Sequence, residues 1–292
     1  MARGWERPPA AQVPAPLRPH VRAMYGYAAS GLEPGVHRGL PSDGLSLVFT
    51  LDEPLRWASS ERQWAEGTRD SQWIVLGGLH TRPAMIEQPG RWSGVQLTLH
   101  PLGVPALLGV PCADLPVTEW DATDLIGREA DRVMDDLQSA AGWPERYAAV
   151  TAFLLRRMRV TERARRRSGP SAEVRQAWTL LTGRFDLGVD HVAREVGYSR
   201  RRLNQLMSAE VGHGPKTVQR LARFDKARRA VAAAPTSGVS LAEVAATVGY
   251  FDQSHMVRDF NQFAGLGPTA WLAAEFPNLQ GSVPLDEGAS QP

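Results

Sequence analysis

The chain has almost no cysteine: Cys112 is the only one in 292 residues. This excludes an intrachain disulfide and any zinc site built on several cysteines. It also lacks a long apolar run. No stretch approaches the ~18 apolar residues of a membrane span, and the Pro/Ala/Arg-rich opening, Met1 to Pro19, contains no apolar core of a signal peptide. The expectation is a cytoplasmic protein with no membrane partner. Lysine is nearly absent, Lys216 and Lys226 being the only two, so arginine carries the positive charge. There is no His-x-His pair, and His37, His80 and His100 have no third ligand at metal spacing. They read as surface or hydrogen-bonded histidines, and no metal or cofactor is expected.

Charge and periodicity divide what is present. The net charge is +2, yet residues 159–281 hold 18 Lys/Arg against 11 Asp/Glu while residues 1–158 hold 15 against 18. A basic C-terminal half beside a mildly acidic N-terminal half suits a nucleic-acid module joined to a second domain. Residues 1–19, with five prolines, are expected to form a disordered or loosely docked arm. Residues 20–122 read as β-rich, with strands over 46–51, 73–76 and 95–99 between Gly and Pro breaks. The period then lengthens to that of a helix. Ile126, Ala130, Val133, Leu137 and Ala141 form one apolar stripe, and Tyr147, Val150, Leu154 and Met158 form another beyond Gly142-Trp143-Pro144. This predicts a helical hairpin over 123–158 that packs on the β domain, serves dimerisation, or does both. An Arg-rich segment, 159–172, reads as a basic linker, and 277–292 as a disordered tail.

The most specific feature is a near-repeat. Val192-Ala193-Arg194-Glu195-Val196-Gly197-Tyr198 recurs as Val244-Ala245-Ala246-Thr247-Val248-Gly249-Tyr250. Each copy is a short apolar-faced helix stopped by Gly-Tyr, and each is followed by a second helix. Ser199 caps the first outer helix, which buries Leu203, Leu206 and Met207. Ser240-Leu241-Ala242-Glu243 is a capping box opening the second unit, and Asp252 caps its outer helix, which buries Met256, Val257 and Phe260. Pairing Leu203 with Met256 requires an offset of 53 rather than 52, so the second turn is one residue longer. Gly212-His213-Gly214-Pro215 and Gly265-Leu266-Gly267-Pro268 close the units alike, each placing Pro at the first position of a new helix. The helix from Pro215 to about Ala233 is expected to join the two units.

Residues 173–276 resemble the AraC/XylS family of bacterial transcription regulators. The stretch Gly249-Tyr250-Phe251-Asp252-Gln253-Ser254-His255, followed by Arg258-Asp259-Phe260, Gly265 and Pro268, is close to the family's most distinctive motif. The first unit carries Met207 where the family usually has Phe. The resemblance implies two helix-turn-helix units with outer helices at about 199–209 and 252–262 in successive major grooves. Base contacts then fall on Arg201, Asn204 and Gln205, and on Gln253, Ser254, His255 and Arg258. Ser199, Arg200, Arg202 and Lys216 fall to the DNA backbone. The fold class is α+β and multidomain: a β-rich, cupin-like barrel or sandwich with a helical hairpin, then an all-α double helix-turn-helix domain.

The N-terminal half is read as a sensor or dimerisation domain. Trp57, Trp64, Trp73, Trp92 and His80 are its candidate effector-pocket residues, because ligand pockets are aromatic, although cores are too. The implied partners are double-stranded DNA, a small effector, a second copy of the chain and, for an activator, RNA polymerase. The chain is not expected to be an enzyme. The rivals are a cupin-like enzyme or a Cys112 alkyl acceptor in the N-terminal half, and a non-specific architectural DNA binder. Cys112 has no flanking Lys, Arg or His to lower its pKa and reads as a small buried side chain.

Overall fold

A computed structural model describes residues 4–6, 8–116, 119–164 and 169–279. The N-terminal part is built on ten strands: β1 (Gly4–Glu6), β2 (Val21–Ser30), β3 (Gly35–Gly39), β4 (Leu45–Thr50), β5 (Leu55–Ala58), β6 (Asp70–Gln72), β7 (Ile74–Gly77), β8 (Ala84–Gln88), β9 (Arg91–Leu99) and β10 (Glu119–Asp121). They form two antiparallel sheets, one of six strands in the order β1-β2-β9-β4-β7-β10 and one of four in the order β3-β8-β5-β6. Two short helices, α1 (Glu61–Ala65) and α2 (Val104–Leu108), lie between strands or just after them, and α3 (Thr123–Ile126), α4 (Glu129–Ser139) and α5 (Trp143–Ala164) follow.

Side-chain alternation along the strands assigns the two faces of the larger sheet. Leu45, Leu47 and Phe49 of β4, with Val95, Leu97 and Leu99 of β9, are fully buried in one core with Val133, Leu137, Val150, Phe153 and Leu154 of the hairpin. The residues between them, Ser46, Val48, Gln96 and Thr98, line a cavity on the opposite face. One face therefore carries the helices and the other faces a space, as two-residue periodicity requires.

The hairpin docks closely. A Cβ at Gly26 would lie 2.4 Å from the Trp143 ring, so only glycine admits α5 against β2 here. The Gly26 N–H donates to the Tyr147 hydroxyl at 2.9 Å, and that hydroxyl donates to the Pro9 carbonyl at 2.9 Å. Phe153 meets Phe49 edge-on at 5.9 Å between ring centroids.

Two sequence expectations need correction. The arm over 1–19 is ordered where it is described: β1 pairs with β2, Pro9 is held by Tyr147, and Leu17 is buried in the main core. Its prolines suit an extended segment, and one sheet edge and one apolar anchor suffice to fix it. The linker also begins later than residue 159. Helix α5 runs on to Ala164 because Thr161 is buried beside α2, its hydroxyl bonded to the Ala106 carbonyl. Residues 165–168 and the tail from 280 lie outside the described residues.

The C-terminal part is helical: α6 (Ala172–Gly183), α7 (Val189–Glu195), α8 (Arg200–Val211), α9 (Pro215–Ser237), α10 (Leu241–Thr247), α11 (Gln253–Ala264) and α12 (Pro268–Leu279). Its two halves have different cores. Leu203, Met207 and Val211 of α8 belong to the same core as the large sheet and the hairpin, through α6, α7 and the 101–114 segment. Val244, Met256, Phe260, Phe263 and Trp271 form a second core with Leu221, Phe224, Ala227 and Val231 of α9. Among the described residues no helix is long and apolar enough to cross a membrane.

Phe153→Ala is expected to lower unfolding free energy by about 3–5 kcal/mol. Urea denaturation followed by circular dichroism measures this, and a loss below about 1 kcal/mol would mean that the hairpin is not anchored through that ring.

Candidate nucleic-acid interface

Both near-repeats form the same turn. Gly197 and Gly249 take φ of 77° and 80°, the left-handed region that a Cβ disfavours. Immediately after them, the Tyr198 N–H donates to the Ala193 carbonyl at 2.8 Å, and the Tyr250 N–H to Ala245 at 2.9 Å. The outer helices then start on side-chain caps. Ser199 accepts from the Arg202 N–H, and Asp252 accepts from the His255 N–H at 2.6 Å. The Ser240–Glu243 capping box is complete in both directions. Four residues separate α7 from α8 and five separate α10 from α11, so the second turn is the longer one.

The outer helices bury one face and expose the other. On α8, Leu203 and Met207 are fully buried, while Arg200, Arg201, Arg202, Asn204 and Gln205 are exposed. On α11, Met256 and Phe260 are fully buried, while Gln253, Ser254 and Arg258 are exposed. Arg200, Arg201, Asn204, Gln205 and Lys216 share one concave surface with Val189 and Pro215, between α8 and the start of α9. The structure thus gathers four α8 side chains and Lys216 on one groove.

Several of these side chains already have neighbours. Arg200 pairs with Asp190 at 3.2 Å, an exposed contact that phosphate can displace. The Arg258 Nε–H donates to the Ser254 carbonyl at 3.3 Å, folding the side chain along its own helix. Asn204 lies against Gly214, where a Cβ would sit 2.5 Å from its amide oxygen. His255 is half-buried, its ring edge-on to Tyr250 at 5.1 Å.

Sequence reasoning missed what holds α11 in place. Asp259, almost fully buried, accepts from Arg220 of α9 at 2.6 Å and from the Tyr250 hydroxyl at 3.2 Å. Arg220 also donates to Gln262 at 2.7 Å, and Arg223 lies over the Tyr250 ring. Burial, with the Asp259 carboxylate beside it, raises the Tyr250 pKa far above its ordinary value, so the phenol stays a donor. Phe251 was also overlooked: it is 93% exposed in the second turn, next to the cap of α11.

A second concavity, of about 700 Å³, lies between the cavity face of the large sheet, β3 and helices α9 and α12. Trp92 and His80 line it, but Trp57, Trp64 and Trp73 do not. Trp57 is buried with its indole N–H on Gln72 at 2.7 Å, Trp64 lies under the Arg69 guanidinium at 3.5 Å, and Trp73 is 40% exposed. His37 and Glu275 meet across this cavity at 2.7 Å, and Glu275 also accepts from the Arg38 N–H at 3.0 Å. His100 accepts from the Leu102 N–H, and burial drops its pKa to about 3. Cys112 is buried in the main core, which pushes its thiol up to about 12.

A helix-turn-helix domain family matches residues 192–274. A comparison with curated proteins finds no match. Among solved structures the chain is similar to ToxT from Vibrio cholerae O395, at 10% identity over 89% of this chain and 98% of that one, with a TM-score of 0.50. A second ToxT crystal form, solved at 1.65 Å, gives 9% identity over 86% and 97%, with a TM-score of 0.52. Wild-type ToxT with bound unsaturated fatty acid, from strain SCE256, gives 10% over 87% and 95%, with a TM-score of 0.50.

Two outcomes follow from the side-chain environments. Asp259→Ala removes one partner of a buried ion pair; because Arg220 is partly exposed and can turn to water, the loss should fall at the low end of about 3–5 kcal/mol. Hydrogen exchange should place that loss in 240–275 and leave α8 protected. Cys112 should resist iodoacetamide in the native chain at pH 8 and react on unfolding in urea; rapid native alkylation would contradict its burial. The paired turns, their capped outer helices and the matched residues together make residues 192–274 of this chain a helix-turn-helix domain.

Proposed function

We propose that the protein is a sequence-specific, effector-responsive transcription regulator. The observation that carries this reading is the pair of outer helices, α8 and α11, each with a buried apolar face and an exposed polar face, joined by the single helix α9. Arg201, Asn204 and Gln205 of α8, and Gln253, Ser254, His255 and Arg258 of α11, take the base-reading role in successive major grooves. Ser199, Arg200, Arg202 and Lys216 take the phosphates. Of the base readers, His255 has least freedom, since it packs on Tyr250. One helical turn of DNA is about 34 Å, so each chain covers roughly 20 bp, and the unlike faces of α8 and α11 make that site non-palindromic.

The sheet domain over 20–122 takes the sensor role, with the effector in the cavity shared with α9 and α12. The fatty-acid-bound ToxT structure supports a ligand site in a chain of this fold. A homodimer would place two such sites at a fixed spacing, and an activator would also meet RNA polymerase. A chain with this task works in the cytoplasm and has no need of catalysis.

The discriminating experiment measures affinity for the cognate site and for random DNA. Arg201→Ala and Gln253→Ala should each lose about 1–3 kcal/mol on the cognate site and relax preference at one position. Arg200→Ala should weaken both DNAs alike and reduce the salt slope. Equal losses on both DNAs for all three variants would instead favour a non-specific architectural binder.

A further inference from the structure

The two turns differ by one residue, and the structure shows which. In the first, Tyr198 is followed directly by the cap Ser199; in the second, Phe251 stands between Tyr250 and the cap Asp252. Everything around the extra residue is held as in the first unit. Gly197 and Gly249 share the left-handed conformation, and the Tyr198 and Tyr250 N–H groups donate to Ala193 and Ala245. Both caps accept from the N–H three positions on, Ser199 from Arg202 and Asp252 from His255. With both ends pinned, the inserted residue has to leave the line of the turn.

It leaves toward solvent. Tyr250 turns inward, its ring buried and its hydroxyl donating to Asp259 at 3.2 Å, while Phe251 turns outward and is 93% exposed. Among the described residues the next most exposed large apolar side chain, Val160, is only 50% exposed. Single apolar side chains on a surface are ordinary. What distinguishes this one is its place, one position ahead of the cap of α11. The N-terminal residues of a recognition helix are the ones that meet base edges, and the exposed Gln253 and Ser254 follow at once. The Asp252 carboxylate is turned toward its own helix end, where it holds the His255 N–H at 2.6 Å. A phenyl ring in that position offers no conventional hydrogen bond to a base or a phosphate. The apolar group that a major groove presents is the 5-methyl of thymine, and phenylalanine is among the side chains that meet it.

We infer that Phe251 is a specificity-determining residue of the second unit, its ring packing on the 5-methyl group of a thymine beside the base read by Gln253. This rests on the sequence-specific regulator reading above and adds to it a base contact of a different kind. The first unit has no counterpart, because Ser199 follows Tyr198 directly. The contact therefore belongs to one half of the site. A protein partner could also cover an exposed ring, but the ring is continuous with the polar face formed by Gln253, Ser254 and Arg258, which favours DNA.

The test uses the full chain and a duplex that it selects from random-sequence DNA. Each thymine of the selected site is replaced in turn by deoxyuridine, which removes the methyl group and keeps every hydrogen-bonding group. The parent chain should lose about fourfold in affinity at one thymine of the α11 half-site, the worth of one buried methyl. F251A should melt with the parent, bind the thymine duplex about fourfold more weakly, and be indifferent to deoxyuridine at that position. R200A should bind more weakly yet keep the full deoxyuridine effect. The inference is overturned if no thymine shows the loss, or if the loss persists unchanged in F251A. Equal weakening of selected and random DNA by F251A would overturn it too, by placing the ring on the sugar–phosphate backbone. So would an F251A chain that binds its site like the parent but no longer supports transcription by purified RNA polymerase, which would place the ring on a protein. A chain that enriches no sequence overturns the regulator reading and this contact with it. One that enriches a site which F251A binds as tightly as the parent loses the contact alone.

Discussion

Helix α9 contributes Val218 to one hydrophobic core and Leu221, Phe224, Ala227 and Val231 to another, and this double membership sets the distance between the two outer helices. A rigid joint matters because the partner is rigid. Two helices can enter successive major grooves only if their separation matches a helical turn, and a flexible tether would leave that alignment to be paid for in entropy at binding. The helix starts at Pro215, whose missing N–H costs nothing at that position, and ends at Gly238, which takes the left-handed conformation of a helix stop. Its one anomaly, Pro235, lies in the last turn, beyond the residues that pack in the second core.

The two helix-turn-helix units are attached to the rest of the molecule by different chemistry. The first is continuous with the sheet and hairpin: α8 packs on the 101–114 segment, and its apolar residues belong to the large core. The second has its own core, and its links to the sheet domain include polar ones, above all the buried Glu275 carboxylate on His37 and the Arg38 N–H. Apolar burial is non-directional and hard to undo in part, whereas a small set of directional bonds around a cavity is open to bias by whatever fills it. An effector shifts an equilibrium only by its differential affinity for two states. In the proposed regulator, the polar contact at the second unit is the one an effector would bias.

What was legible in the sequence was local. The Gly-Tyr stops, the Ser240–Glu243 capping box, the extra residue in the second turn and the strands at 46–51, 73–76 and 95–99 all follow from short-range rules, and the structure has them. The faces of β4 and β9 were also readable, since Leu45, Leu47 and Phe49 alternate with Ser46 and Val48. The illegible features were those made by residues far apart in the chain. His37 and Glu275 are 238 positions apart, and Arg220 and Asp259 are 39 apart. A charged residue on a helix reads as surface until its partner is known. The same limit explains the tryptophans. Trp57, Trp64, Trp73 and Trp92 look alike in a sequence, yet of the four only Trp92, on β9 of the large sheet, lines the cavity; Trp57 stands on β5 of the smaller sheet, Trp64 on α1 and Trp73 between β6 and β7.

The proposed function requires one chain to read two successive major grooves on a single face of DNA. Hydroxyl-radical footprinting of the full chain on its operator tests this most directly. Two unlike clusters of protection on one face, separated by about 10–10.5 bp, are expected. A single cluster, or uniform protection without helical phase, would contradict it.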